Sequence, residues 1–203
     1  MEYIEIMEKY RLENNFYTLS EMRVLCKDNT IYDFFSVLIS KNVTFGKNNI
    51  IYPGVIMEAD MESNIAIGNH NVFFNNTHLE AKSSGEIIIG NCNNFMNGGI
   101  SVRSNMPNSK ITFSNNGRYD GRINIFGNCE FGEGSQIIGT INVYNCTLIG
   151  GGSYNEKDPD RRAGIIKGFG TAKNIVVNMG MVINGLGDFN KSALELQSNY
   201  HSK

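Results

Sequence analysis

The chain has 203 residues and a formal net charge of -2, with 41% hydrophobic and 19% charged residues. That balance suits one globular domain with a substantial core. It excludes the basic field that nucleic acid or an anionic membrane surface would need, so small molecules or other protein chains are the partners to expect.

At the start, "MEYIEIMEKYRLENN" interrupts its apolar positions with Glu, Lys and Arg, so no targeting segment is expected. No apolar run approaches bilayer length, and no membrane span is expected. Thr18 followed by Glu21 forms a capping-box pattern that predicts a short helix over "SEMRVLCKD". Residues 1–30 are therefore expected to cap whatever follows.

From residue 31 the chain repeats itself. Phe45-Gly46, Ile67-Gly68 and Ile89-Gly90 open three units, and further units start at Phe113, Phe131 and Ile149. Within the units apolar residues recur at every sixth position: Phe45, Ile51, Met57; Ile67, Phe73, Leu79; Ile89, Phe95; then Phe113, Tyr119, Ile125, Phe131, Ile137, Val143 and Ile149, with Ser101 the exception. A six-residue step matches neither the helix period nor a plain amphipathic strand. It matches a short strand and a sharp turn, repeated three times per coil, which predicts a triangular parallel β-solenoid whose coils pair only with their neighbours. The 22 glycines and the many asparagines supply the turns such a chain needs. The extra residues after the third hexad of the early units must bulge out at one corner.

Asn49, Asn71 and Asn93 fall in register and are expected to form an inward amide ladder. Asn48, His70 and Cys92 then share the adjacent corner position, where His70 reads as decoration rather than as a ligand. Residues 151–164, "GGSYNEKDPDRRAG", break the hexads and read as a loop, functional or simply mobile. Beyond the repeats, Ser192 before "ALELQ" predicts an N-capped helix. The organisation is thus a cap at 1–30, a solenoid at 31–187 with the loop insertion 151–164, and a helical tail at 188–203. The four cysteines, Cys26, Cys92, Cys129 and Cys146, form no C-x-x-C pair and read as free thiols of a reducing, cytoplasmic compartment, without structural zinc.

These hexads resemble the hexapeptide-repeat superfamily of transferases, which have the left-handed parallel β-helix fold. Ile67-Gly68 with Asn71, Met57-Glu58, Leu79-Glu80, Phe131-Gly132 with Ser135, and Ile149-Gly150 with Ser153 follow that family's pattern. The segment "VVNMGMVINGLG", from Val176 to Gly187, resembles its closing motif, with Asn178 where Pro is usual and Met181 where Thr is. The resemblance covers roughly residues 31 to 187 and implies a homotrimer; the large outward residue Phe74 is consistent with buried solenoid faces.

His78 directly precedes the inward Leu79, so strand alternation turns it outward together with Glu80, the two Cα atoms about 6–7 Å apart on one face. A histidine beside a carboxylate has the makings of a general base, although outward polar residues on strands are also common. His201, three residues from the end, is expected at the surface or disordered. The resemblance implies an acyltransferase in which a histidine between subunits deprotonates a hydroxyl or amine for attack on the thioester of acetyl-CoA or another acyl donor. His78 is the candidate base and Glu80 its partner. Arg161, Arg162, Lys167 and Lys173 are candidates for the cofactor phosphates, with ordinary solvated charge as the competing explanation.

A γ-carbonic-anhydrase-like reading is the second implication. The three histidines of that branch fall here on Glu80, Asn91 and Met96, so no standard zinc site is expected. A non-catalytic β-helix scaffold, like the small dynactin subunits of the same fold, is the third.

Overall fold

The structure, a computed structural model, describes residues 2–189 and 193–201. Parallel strands dominate it, and they wind into an all-β solenoid with three strands per coil. On the first face the register runs Ile31, Ile51, Phe73, Phe95, Tyr119, Ile137, Ile166, Ile183. The second runs Ile39, Met57, Leu79, Val102, Ile125, Val143, Ala172, Phe189. On the third it runs Phe45, Ile67, Ile89, Phe113, Phe131, Leu148, Val177. Nearly all of these side chains are buried, so the six-residue period does mark one inward side chain per strand.

The register departs from the sequence expectation at two places. Val102, not Ser101, lies beneath Leu79, because Gly98 and Gly99 add a residue to that corner. Leu148 is fully buried while Ile149, expected inward, is 42% exposed. Five residues rather than six separate Val143 from its successor on the next face, and this shifts the alternation by one.

The corners explain the asparagines. Asn48, His70, Cys92 and Asn116 occupy one corner with φ of 59°, 58°, 59° and 61°. That left-handed conformation is one asparagine tolerates better than most residues. Beside them the inward ladder is present as expected: Asn71 N donates to Asn49 Oδ1 and Asn93 N to Asn71 Oδ1, each at 2.9 Å. The Nδ2 groups of Asn49 and Asn71 donate to the Gly68 and Gly90 carbonyls at 2.9 Å. A second, outer ladder follows the same logic, with Asn69 N donating to Asn91 Oδ1 and Asn91 N to Asn115 Oδ1 at 2.8 Å. The extra residues of the early units bulge at the corner between the second and third faces, where Ser83 N donates to Asp60 Oδ2.

Between the first and second faces the late coils turn differently. Gln136–Tyr144, Ile165–Lys173 and Met181–Phe189 run through this corner as continuous nine-residue strands. Gly139 and Gly168 make the bend at φ of 129° and 119°, and a Cβ on Gly139 would strike the Gly168 carbonyl. Only glycine fits there.

Inside, aromatic rings stack along the axis: Phe73 on Phe95 with centroids 5.0 Å apart, and Phe113 on Phe131 at 4.9 Å. The buried Tyr119 hydroxyl meets Ser135 Oγ at 3.1 Å, and burial pushes its pKa well above the usual tyrosine range.

Both ends are closed. Helix α1 (Glu2–Glu13), which the sequence pattern did not predict, places the buried Arg11 guanidinium on the carbonyls of Tyr17, Phe34, Phe35 and Val37. Helix α2 (Leu19–Leu25) has the predicted Thr18–Glu21 capping box. At the other end the expected helix is absent. Leu194–Leu196 is a strand, antiparallel to Met181–Phe189, followed by one 3-10 turn at Gln197–Asn199. The last coil offers unpaired edge groups, and pairing satisfies them where a short helix could not. Ser192, the predicted N-cap, lies outside the described residues.

Asn71 supports two neighbouring coils at once, so Asn71→Ala is expected to cost about 1–3 kcal/mol of stability, more than Asn69→Ala in the exposed outer ladder. Urea denaturation of the two variants measures the difference.

Candidate functional site

Two groups of side chains stand out, on different faces. His78 lies on the second face in the strand His78–Ala81, flanked in register by Ile56 and Ser101. Leu79 and Ala81 are fully buried and His78 and Glu80 point outward, as alternation requires. The nearest carboxylate to the imidazole is not Glu80, however. Glu58, one coil away, brings Oε1 to 3.7 Å from His78 Nε2, which is buried and has no hydrogen-bond partner among the described residues.

Glu80 is engaged elsewhere. Its Oε2 accepts from Lys82 Nζ at 3.0 Å and its Oε1 from Asn105 Nδ2 at 2.9 Å. Lys82 Nζ also donates to Glu58 Oε1 at 3.0 Å, so one ammonium bridges the two carboxylates. Burial pushes the Glu80 carboxyl up, but the hydrogen bonds and charge supplied chiefly by Lys82 outweigh it and hold the group below its ordinary value. The hydrogen bonds to Glu80 and Glu58 raise the Lys82 ammonium in turn. Glu58 was visible in the sequence only as an ordinary hexad residue. What reveals its role is the register, which sets Glu58 beside Glu80.

Glu58, His78 and Glu80 offer ligand atoms within 4.8 Å of one another, a donor set of two carboxylates and an imidazole. Lys82 already supplies the positive charge between those carboxylates, which argues against a resident metal. The other positions of the three-histidine pattern do not converge on it. Asn91 belongs to the outer corner ladder, and Met96 is a half-buried first-face residue.

The second group surrounds a cavity of about 290 Å³ over the first face of the last coils. Arg162 and Lys167, two of the four predicted phosphate ligands, line it together. Arg161 does not; its side chain is 76% exposed and pairs with Asp158 at 3.7 Å. Lys173 lies on the second face, with Nζ 5.4 Å from the Tyr144 ring centre.

The sequence reading missed the third cation of the cavity, Arg118. It projects outward beside the inward Tyr119, pairs with Asp120 at 3.2 Å, and holds its guanidinium 5.7 Å from the Tyr154 ring centre. The alternation Arg-Tyr-Asp around a hexad position was the available signal. Loop 151–164 contributes Tyr154 and Arg162, whose Nε donates to the Glu156 carbonyl at 2.8 Å. The tail completes the wall. Lys167 Nζ sits 4.1 Å over the Tyr200 ring, and His201, expected at the surface or disordered, is exposed and also lines the cavity. Gln197 is buried, donates through Nε2 to the Ala163 carbonyl at 2.7 Å, and has no partner for Oε1 among the described residues.

Comparison with known proteins adds no family: no protein-family model matches the chain, and no curated protein matches it. Among the described residues no helix is long and apolar enough to cross a membrane.

The lowered Glu80 value is a contribution to stability that is present above the ordinary carboxylate pKa of about 4.3 and lost as pH falls through the lower folded value. Lys82→Met leaves Glu58 and Glu80 facing each other without a cation. The variant is expected to lose up to about 1 kcal/mol at pH 7, because the group is partly exposed, and to recover part of it near pH 4, where the wild-type contribution has begun to be lost. Urea midpoints at the two pH values measure this; an equal loss at both would show that packing by the lysine stem is responsible.

Proposed function

We propose that the chain is a left-handed parallel β-helix of the hexapeptide-repeat type, acting as a homotrimeric acyltransferase that moves an acyl group from acetyl-CoA or another acyl-CoA to a hydroxyl or amine. The observation that carries this reading is the cavity where Arg118, Arg162 and Lys167 converge beside Tyr154 and Tyr200. Cations set among aromatic rings suit a phosphorylated ligand that also carries a planar group.

His78 is the proposed base. Its Nε2 is buried toward Glu58, which, rather than the sequence-predicted Glu80, is placed to steady the imidazolium that forms, so Nδ1 is the nitrogen that takes the acceptor proton. The acceptor oxygen or nitrogen then attacks the thioester carbonyl, backbone N–H groups take up the oxyanion, and the CoA thiolate leaves with the proton.

His78 and the cavity are on different faces of one chain, so this reading requires a neighbouring subunit to bring donor and base together, as a trimer would. The outer first face carries apolar surface for such packing, with Phe74 stacked on Tyr52 at 4.5 Å. Four free cysteines suit a reducing, cytoplasmic setting.

A metalloprotein is the second reading; it rests on the Glu58, His78 and Glu80 donor set and requires the metal to displace Lys82 from between the two carboxylates. It predicts stoichiometric metal in the purified protein and carbon dioxide hydration.

Acetyl-CoA is expected to raise Tm by binding the native state. Arg162→Ala with Lys167→Ala should weaken that binding at least about tenfold, and His78→Ala should leave it intact while lowering turnover about 10²–10⁴-fold. Thermal shift and single-turnover assays measure both, and no shift with saturating acetyl-CoA or CoA overturns the acyltransferase reading.

A further inference from the structure

The chain holds three Asn-Gly pairs, Asn97-Gly98, Asn116-Gly117 and Asn184-Gly185. In such a pair the glycine nitrogen can attack the asparagine side-chain carbonyl, because no Cβ shields it and the backbone can turn to bring the two together. The reaction needs that nitrogen free and the asparagine able to rotate. The structure treats the three pairs differently.

Gly117 is buried, and its N–H donates to Asn93 Oδ1 at 2.8 Å. The Asn116 side chain is held as well, with Nδ2 donating to Glu133 Oε1 at 3.1 Å. Asn184 and Gly185 lie within the nine-residue strand Met181–Phe189, in register with Lys167 and Gly168. A Cβ on Gly185 would strike the Phe189 ring, so that ring covers the glycine. Freeing either pair means opening a corner or peeling back a strand.

Asn97 and Gly98 are under neither restraint. Both are exposed, at the corner between the strands Asn94–Phe95 and Ile100–Ser104. Neither the Asn97 side chain nor the Gly98 N–H has a hydrogen-bond partner among the described residues. Gly99 follows directly, so the backbone on the far side of the reacting bond also carries no side chain.

We infer that Asn97 is a site of spontaneous modification, converted in the folded protein to aspartate and isoaspartate while Asn116 and Asn184 are kept. Gly98 N forms a bond to Asn97 Cγ, the Cγ–Nδ2 bond breaks, and ammonia leaves with the proton that the nitrogen gives up. Water then opens the cyclic imide at either carbonyl. One opening gives an aspartyl residue, and the other leaves the main chain running through the former side chain.

The second product has a structural consequence, because it lengthens the main chain by one carbon where there is no slack. Asn97 O accepts from Gly121 N on the next coil at 2.8 Å, and a Cβ on Gly98 would strike the Gly121 backbone. That bond between coils is lost, and a carboxylate appears at an exposed corner, open to a methyltransferase that recognises isoaspartyl linkages. None of this rests on the acyltransferase reading.

The test is to age the full-length protein in warm, mildly alkaline buffer and map its digests by mass spectrometry, with an isoaspartyl methyltransferase and labelled methyl donor marking the isomer. Conversion at Asn97 is expected at least about tenfold faster than at Asn116 or Asn184. In the urea-unfolded chain the three should convert at similar rates, since glycine follows each. Asn97→Gln should abolish methyl labelling with the circular dichroism unchanged, and exchange of the Gly121 amide should quicken on ageing in the wild type alone. Equal or faster conversion at either other pair in the folded protein overturns the inference. So does the same ranking in the unfolded chain, which would assign the preference to sequence rather than structure.

Discussion

Among the described residues every strand is only two to nine residues long, and none could persist alone. What makes the solenoid possible is the closing of each corner without stranding buried backbone groups. The asparagine ladders do this. In the inner ladder the Asn49 and Asn71 side chains each accept from the N–H of the next asparagine and donate to a glycine carbonyl of that same neighbouring coil, so the polar groups exposed by one turn are satisfied by the next. Because the bonds run between coils, the ladders also fix the height and rotation of successive turns. The flat outer faces inherit their regularity from that fixed relation.

Regular outer faces bring together residues distant in sequence. Glu58 and Glu80 are neighbours because both follow the third inward side chain of their coils, and Lys82 reaches them because the chain leaves the strand just there. Arg118 and Lys167 line one cavity from different coils of the first face, with loop 151–164 and the tail laid over them. The irregular segments contribute walls, while the repeats place the charges.

Much of the fold was legible because the six-residue period is written in large inward residues such as Phe73, Phe95 and Tyr119. Asn49, Asn71 and Asn93 could be placed on the inside of a corner from spacing alone. The errors came where a coil changes length. A single residue gained before Val102 or lost before Leu148 reverses which side chain is buried, and nothing in composition marks it. The candidate site was half legible. Alternation turned His78 and Glu80 outward, but the pairing of His78 with Glu58 and the capture of Glu80 by Lys82 depend on side-chain reach between coils. Helix α1 stayed hidden for a similar reason. It is held by polar contacts of Arg11 and Glu8 rather than by an apolar stripe facing the core, and Tyr3 and Tyr10 remain exposed.

The closing strand at Leu194–Leu196 runs against the direction of every other strand. A stack of parallel coils is in principle open-ended, since its last turn presents the same template to an incoming chain as its first turn offered to the second. Reversing the final strand spoils that template, while at the opposite end Arg11 occupies the carbonyls on which another coil would have to build. The molecule is thus a finite length cut from a pattern that has no natural stopping point, and its two unlike ends keep it from becoming a fibre.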